Sequence, residues 1–501
     1  MMTEERNPEQ KKKTVQVKLV RHKWPDEIAA EKALRRKTIL LVIGAILFFG
    51  IGYACNAVTK TNGVASSSAN QKLNEVYDIM LNQWYFGKDI DSLDEALLNQ
   101  ALKGMSGSES DPYTSYLTKE ETMELSSSLQ GSVMGIGVEY VYLYDSGSFY
   151  IVNVFANGPA GRAGLCSGDQ IISVNEESVA GLDSDALREK IVGEKGTTVR
   201  MQVKRENKLL DFEIERGEVA SSVFGEVKGS VGILTIASFA ENSGELVGDY
   251  LKEFDQQGVT SLIVDLRGNG GGYVQAAVDI ANHLLPEDSV VLYEEKRDGS
   301  MSENRTSGSG KQYRYDAMAV LVDGDTASAS EVLTAALRHY LDAEIVGVNT
   351  FGKGTVQITK PFADGSSLKY TIAQWLTPAK EKIHGKGIAP DVEIASAEAH
   401  LFSPVALNGT YAADSVSQPA VIVQKELAFL GYAVDREDGY FSTASSEALK
   451  QYQRNIGMET DGVIDQAVMD ALYSSVQLKW NAEKETLDTQ MIKAMEVVND
   501  R

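Results

Sequence analysis

The sequence predicts a multi-domain α+β protein, on three observations. At 501 residues the chain is too long for one hydrophobic core and should divide into three or four domains. Between Ser261 and Gln357, short apolar runs rich in β-formers alternate with helical patterns, as in an α/β core. A glycine-punctuated, strand-rich stretch precedes that core, and helical patterns lie at both ends of the chain.

The net charge is −23, although residues 1–37 carry 11 basic and 6 acidic side chains, so the acidic excess belongs to the rest. An acidic exterior favours solubility and argues against nucleic acid as a partner. Two cysteines, Cys55 and Cys166, are too few for a disulfide framework.

Residues 1–37 read as a basic cytoplasmic tail. Thr38–Val58 is 21 residues long without a charge, enough for a membrane helix of about 20 residues. Arg35-Arg36-Lys37 ahead of it predicts a single-pass protein of the cell membrane, with a cytoplasmic N-terminus and an extracytoplasmic body. The apolar run exceeds the roughly 7–15 residues of a signal-peptide core and no small-x-small site stands out, so an uncleaved anchor is expected. Residues 59–70 form a Ser/Thr/Asn-rich linker. Residues 71–130 are helical, with Leu73, Val76, Ile79 and Met80 on one stripe and Thr118 beginning a later helix with Glu121 as its capping-box partner.

The stretch 218–396 carries the chemistry. Ala317–Val322 reads as a buried strand, and Val332, Leu333, Ala336, Leu337 and Tyr340 lie on one face of a following helix. Ser328 therefore sits where strand turns into helix, beside unpaired N–H groups and partial positive charge that can stabilise an oxyanion. A serine hydroxyl needs a base. Five histidines are present, none in an obvious triad context, whereas Gly352-Lys353-Gly354 presents a reachable amine. Lys353 would have to be neutral; bringing a lysine pKa from about 10.4 to about 7 disfavours the ammonium by roughly 4–5 kcal/mol, which burial can supply. Gln357 shares a face with Lys353 on either a helix or a strand and could orient the amine. An earlier strand, Ser261–Leu266, ends in Arg267-Gly268-Asn269-Gly270-Gly271-Gly272, then a helix from Tyr273 to Leu285. This run lacks the ending of a P-loop and the spacing of a dinucleotide fingerprint.

Ala-Ser-Ala-Ser-Glu followed by Phe-Gly-Lys-Gly-Thr-Val-Gln, with Ser328 and Lys353 25 positions apart, resembles the C-terminal processing peptidases, or tail-specific proteases. The resemblance implies an α/β core of ClpP/crotonase-like sheet and helices. It implies Ser328 as nucleophile, Lys353 as base, Gln357 as orienting residue, and the amides of Gly272 and Ala329 as oxyanion donors. No cofactor or metal is implied. Residues 131–217 resemble a PDZ domain, opened by Gly135-Ile136-Gly137-Val138, whose N–H groups would hold the C-terminal carboxylate of a protein tail. In the resembled family the helices before that domain help hold two protomers together. After a linker at 397–417, residues 418–475, with Asp438-Gly439 and Asp461-Gly462 turns, resemble a small three-helix peptidoglycan-binding domain. Residues 476–501 read as a charged, solvated helical tail.

The function predicted is a membrane-anchored serine endopeptidase acting on exposed protein tails. The alternatives are a non-catalytic cell-wall scaffold built from the two binding modules, and a Ser-His-Asp hydrolase using His283 or His339.

Overall fold

The computed structural model describes residues 68–155, 158–220, 222–308 and 311–500. The predicted tail and the Thr38–Val58 anchor lie outside the described residues. Among the described helices none is long and apolar enough to cross a membrane. The described residues fall into two units, divided between Gln100 and Ala101.

In the first unit a helix, Ser68–Gln83, is followed by a 3-10 turn, Tyr85–Asp89, and a second helix begins at Leu93. Tyr77 ties the two helices by donating to the Asp94 carbonyl at 3.0 Å. The stripe read from the sequence does not become a core: Leu73, Val76 and Ile79 are 47%, 53% and 45% exposed.

In the second unit the helix Lys119–Ser128 begins with the expected capping box. The Thr118 N–H donates to Glu121 Oε2 (2.7 Å) and the Glu121 N–H to Thr118 Oγ (3.3 Å). A two-stranded neck, Ser132–Gly135 against Gly217–Ala220, then brackets the small β domain. Its sheet runs Val138–Leu143, Ser148–Val154, Gln170–Val174, Thr198–Arg205 and Lys208–Glu215, with the helix Ser184–Ile191 beside it. Asp169 is fully buried, and Arg205 neutralises it through a bidentate pair at 2.6 and 2.7 Å.

The α/β core is a six-stranded sheet in the order Val223–Lys228, Val231–Ile236, Ser261–Asp265, Ala317–Val322, Glu344–Gly347 and Val392–Glu393, parallel after the first strand. Side chains alternate across a strand. Leu234, Leu262, Val264, Val320 and Val322 face the helices Ser243–Gln256, Val274–Leu284 and Ala329–Leu341. Ile233, Ile263, Ala319, Leu321 and Val346 face the other way. A parallel sheet needs both faces covered, which is why Ala317–Val322 is an unbroken apolar run.

The cover of the second face corrects the sequence reading of 476–501 as solvated. The last helix of the three-helix unit runs on from Gln466 to Leu487, and a further helix, Thr489–Asn499, lies on the sheet. Ala494 and Val498 are 0% and 2% exposed there, with Met491 and Met495 packed alongside. Asp488, the cap of this helix, pairs with Arg267 (2.7 and 3.0 Å), which also holds Asp265 (2.6 Å). The same C-terminal part also grips the β domain. Tyr150 donates to Asp470 Oδ1 at 2.7 Å, and Ser475 to Glu206 Oε1 at 2.7 Å.

Candidate active site

Ser328 caps the helix Ala329–Leu341 with φ 59° and ψ −117°. A non-glycine residue in that region costs about 1–3 kcal/mol and persists only where its surroundings enforce it. Several interactions do so. The Ser328 N–H donates to Glu331 Oε2 at 2.8 Å. On the preceding side, the Ala327 N–H donates to the Asn269 carbonyl at 3.0 Å, and Ser330 Oγ to the same oxygen at 2.9 Å. Asn269 is fully buried, and its amide nitrogen is anchored on the Ile236 carbonyl at 2.6 Å. The glycine run is thus bonded directly to the turn that carries the serine.

The same contacts single out one glycine donor. Gly271 gives its N–H to Asn269 Oδ1 (2.8 Å). A methyl group on Gly271 would stand 2.8 Å from Ser328 Cβ and 3.1 Å from the Ala329 nitrogen, so no side chain fits there. The next amide, Gly272, makes no hydrogen bond among the described residues, and its φ of 146° is open to glycine. Gly272 thus follows the glycine packed against Ser328, and Ala329 follows Ser328 itself at the helix N-terminus.

Lys353 approaches from the loop after Glu344–Gly347, which is folded by hydrogen bonds to its main chain. Its N–H donates to Glu331 Oε2 (2.9 Å) and its carbonyl accepts from Trp375 Nε1 (2.9 Å). Trp375 is 1% exposed, so the main chain of Lys353 is held from two sides. The ammonium end lies 4.9 Å from the centre of the Tyr113 ring. Burial, then the positive charge of Lys369, hold the Lys353 amine below the usual lysine range, against an opposing pull from Glu331. Among the described residues no hydrogen bond joins Lys353 Nζ to Ser328 Oγ.

Gln357 lies on a strand, Thr355–Pro361, rather than a helix. Its amide nitrogen donates to Thr355 Oγ (2.8 Å) and Thr371 Oγ (3.3 Å), not to Lys353. Thr371 passes the connection on to Asp111 Oδ1 at 3.1 Å, and Asp111 also accepts from Thr114 at 2.6 Å. Burial works to raise the Asp111 pKa, yet the bonds from Thr114 and Thr371 leave it below the ordinary carboxylate range. The Asp111-Pro112-Tyr113-Thr114 segment thus reaches the site from more than two hundred residues away in sequence.

Neither histidine suits a triad. His283 is bonded to the Gly244 carbonyl at 3.0 Å. His339 is in the last turn of the helix that Ser328 starts, about 16 Å along its axis. In the β domain, Ile136 is 1% exposed and its carbonyl accepts from Ala160 (2.8 Å), while the Gly137 carbonyl accepts from Phe155 (3.1 Å). Gly135 ends the neck strand and Val138 starts the first strand of the sheet. The N–H groups of Ile136 and Gly137 make no hydrogen bond among the described residues.

Sequence reasoning passed over Glu331, Asn269, Asp111 and Tyr113. Glu331 and Asn269 stood inside quoted motifs, but a capping glutamate and an asparagine among glycines have ordinary explanations. Asp111-Pro112-Tyr113-Thr114 signals a helix break and matches the stretch before the PDZ domain in the resembled family, but nothing local joins it to the site.

A serine on a strained strand-to-helix turn, packed against a glycine run and tied through Glu331 to the loop of a half-buried lysine, has the make-up of a serine hydrolase site. The family model of Peptidase family S41 matches residues 230–394, that of the PDZ domain 132–215, and that of a peptidoglycan binding domain 417–472. A "Probable CtpA-like serine protease" of Staphylococcus haemolyticus is 32% identical over 496 residues, covering 96% of this chain and 97% of that protein. The "Carboxy-terminal processing protease CtpB" of Bacillus subtilis is 34% identical over 431 residues, covering 84% and 88%. A solved "Photosystem II D1 C-terminal processing protease" aligns at a TM-score of 0.40 with 26% identity, over 64% of this chain and 92% of that one. The chain belongs to peptidase family S41, among the carboxy-terminal processing proteases, and is a serine endopeptidase. The non-catalytic scaffold is set aside accordingly.

Proposed function

We propose that this endopeptidase works by a Ser–Lys dyad. Neutral Lys353 takes the Ser328 proton as Oγ attacks the scissile carbonyl. The N–H groups of Gly272 and Ala329 hold the oxyanion, each worth about 3–4 kcal/mol of barrier. The lysine ammonium then gives its proton to the leaving amine, and water resolves the acyl-enzyme by the same steps in reverse order. The observation that carries this reading is the Lys353 amine, half-buried over Tyr113 and held below the usual lysine range, in a loop bonded through Glu331 to a strained serine turn. A side-chain rotation that brings Nζ onto Oγ completes the dyad; Gln357 acts at one remove, through the Thr371–Asp111 connection.

The β domain delivers the substrate. Gly135-Ile136-Gly137-Val138 receives the tail carboxylate on the unused N–H groups of Ile136 and Gly137, and the tail adds to the edge of Val138–Leu143. Thr38–Val58 anchors the chain in the cell membrane with the catalytic part outside, and the three-helix unit attaches to peptidoglycan. The test uses the full chain in membrane vesicles and two unfolded test proteins differing only in a free or amidated C-terminus. The expected result is a vesicle-bound enzyme, resistant to alkaline wash, with KM raised about 10-fold or more by amidation, since charged hydrogen bonds are worth about 1.5–3 kcal/mol. Equal KM for the two tails contradicts tail recognition, release by alkaline wash contradicts the anchor, and failure to sediment with insoluble peptidoglycan contradicts the wall attachment.

A further inference from the structure

We propose that Glu331 is a positioning residue of the reaction: its buried carboxylate fastens the nucleophile turn and the base loop to a single anchor and sets the reach between them. The inference rests on the Ser328–Lys353 reading above.

Glu331 is fully buried, on the first turn of the helix that Ser328 caps. Oε1 accepts from Thr350 Oγ (2.6 Å) and the Gly352 N–H (2.7 Å). Oε2 accepts from the Ser328 N–H (2.8 Å) and the Lys353 N–H (2.9 Å). A carboxylate has about four acceptor positions, and all four are filled. The donors come from two separate segments, the serine turn and residues 350–353. The two bonds to Oε2, laid end to end, limit the separation of the Ser328 and Lys353 main-chain nitrogens to roughly 6 Å. A lysine side chain can cross that span.

The plainer role for this residue is a helix cap, since a glutamate three places after a serine commonly bonds back to the cap N–H. Capping accounts for one of the four bonds. It does not account for the two main-chain donors of the base loop or for Thr350, which is 3% exposed and is itself fixed by the Ile388 N–H at 2.7 Å. Three of the four donors are main-chain N–H groups that cannot turn into acceptors. A glutamine of the same shape would point its own NH₂ at some of them, so the position demands an acceptor-only group. Charge matters as well. When Lys353 takes the serine proton, its ammonium forms close to an anion already in place, which favours the charged intermediate state.

The test compares wild type, Glu331→Gln and Thr350→Val. It reads kcat and KM on an unfolded test protein, the labelling rate of Ser328 by a fluorophosphonate across pH, and thermal unfolding. Glu331→Gln is expected to lower kcat about 100-fold, the cost of about 1 Å of misplacement, with KM little changed. The acid limb of its labelling profile moves to lower pH, because an anion that stabilised the ammonium is gone; a cap alone would not move that limb. Thr350→Val, which keeps the charge and removes one of the carboxylate's four bonds together with the hydroxyl's bond from the Ile388 N–H, is expected to lower kcat about 10-fold and leave the limb in place. If Glu331→Gln does not fold, Thr350→Val decides the matter: wild-type kcat in that variant overturns the proposal. So does a folded Glu331→Gln with wild-type rates and limb. Failure of the dyad itself reads differently, as cleavage that survives loss of Ser328 or Lys353 whatever Glu331 does.

Discussion

Ser328→Ala is expected to abolish cleavage of an unfolded test protein, by about 10⁴–10⁶-fold in kcat, while the protein still folds. The hydroxyl forms the acyl-enzyme, and three bonds that hold the turn, from the Ser328 N–H to Glu331 and from the Ala327 N–H and Ser330 Oγ to the Asn269 carbonyl, do not use it. Lys353→Met, which keeps the length of the side chain, is expected to fall by a similar factor, because dyad members act as a unit and their losses do not add. The strain at this position makes a further outcome expected. Ser328→Gly relieves a φ of 59°, so it should be inactive yet no less stable than Ser328→Ala, and more stable by about 1 kcal/mol if the turn keeps its shape. Denaturant unfolding of the two variants beside their kinetics checks all three statements. Substantial turnover in either dyad variant removes the mechanism.

A chain ending at Leu487 is expected to lose more than about 4 kcal/mol of stability or to fail to fold. Removing Thr489–Asn499 bares Val231, Ile233, Ile263, Ala317, Ala319, Leu321 and Val346 on one face of the central sheet. Removing Asp488 as well leaves Arg267, 13% exposed in its side chain, with Asp265 alone. Val498→Asp tests the packing in the full chain: a charge forced against the sheet should cost roughly 3 kcal/mol or more. Urea midpoints measure both. An unchanged midpoint in Val498→Asp would mean that the helix does not lie on the sheet.

Much of the core was legible because its rules are local. The unbroken apolar run at Ala317–Val322, the glycines before Tyr273 and the serine turn each announce a strand, a close approach or a helix start. The C-terminal helix was legible in principle. Met491, Ala494, Met495 and Val498 fall at helical spacing on one face, but Asp488, Lys493, Glu496 and Asp500 around them gave the look of a solvated tail. A sheet apolar on both faces required a second cover, and that requirement was the missed signal. Gln357 was legible only in part: its strand and helix readings both put it on the same face as Lys353, while its partners Thr371 and Asp111 were set by sheet pairing and a distant loop. Glu331 showed only the commonplace part of its role, since the Thr350, Gly352 and Lys353 donors arrive by tertiary folding.

The most direct test of the central claim follows covalent labelling of wild-type Ser328 by a fluorophosphonate, read by intact mass, from acid to alkaline pH. The expected result is one adduct per chain, confined to Ser328, with a rate that rises with pH along a limb below that of an ordinary lysine. Lys369→Gln should move this limb to higher pH, because it removes a positive charge that helps keep Lys353 neutral. An adduct rate that is flat with pH, or that is unchanged in Lys353→Met, would contradict the lysine as the base.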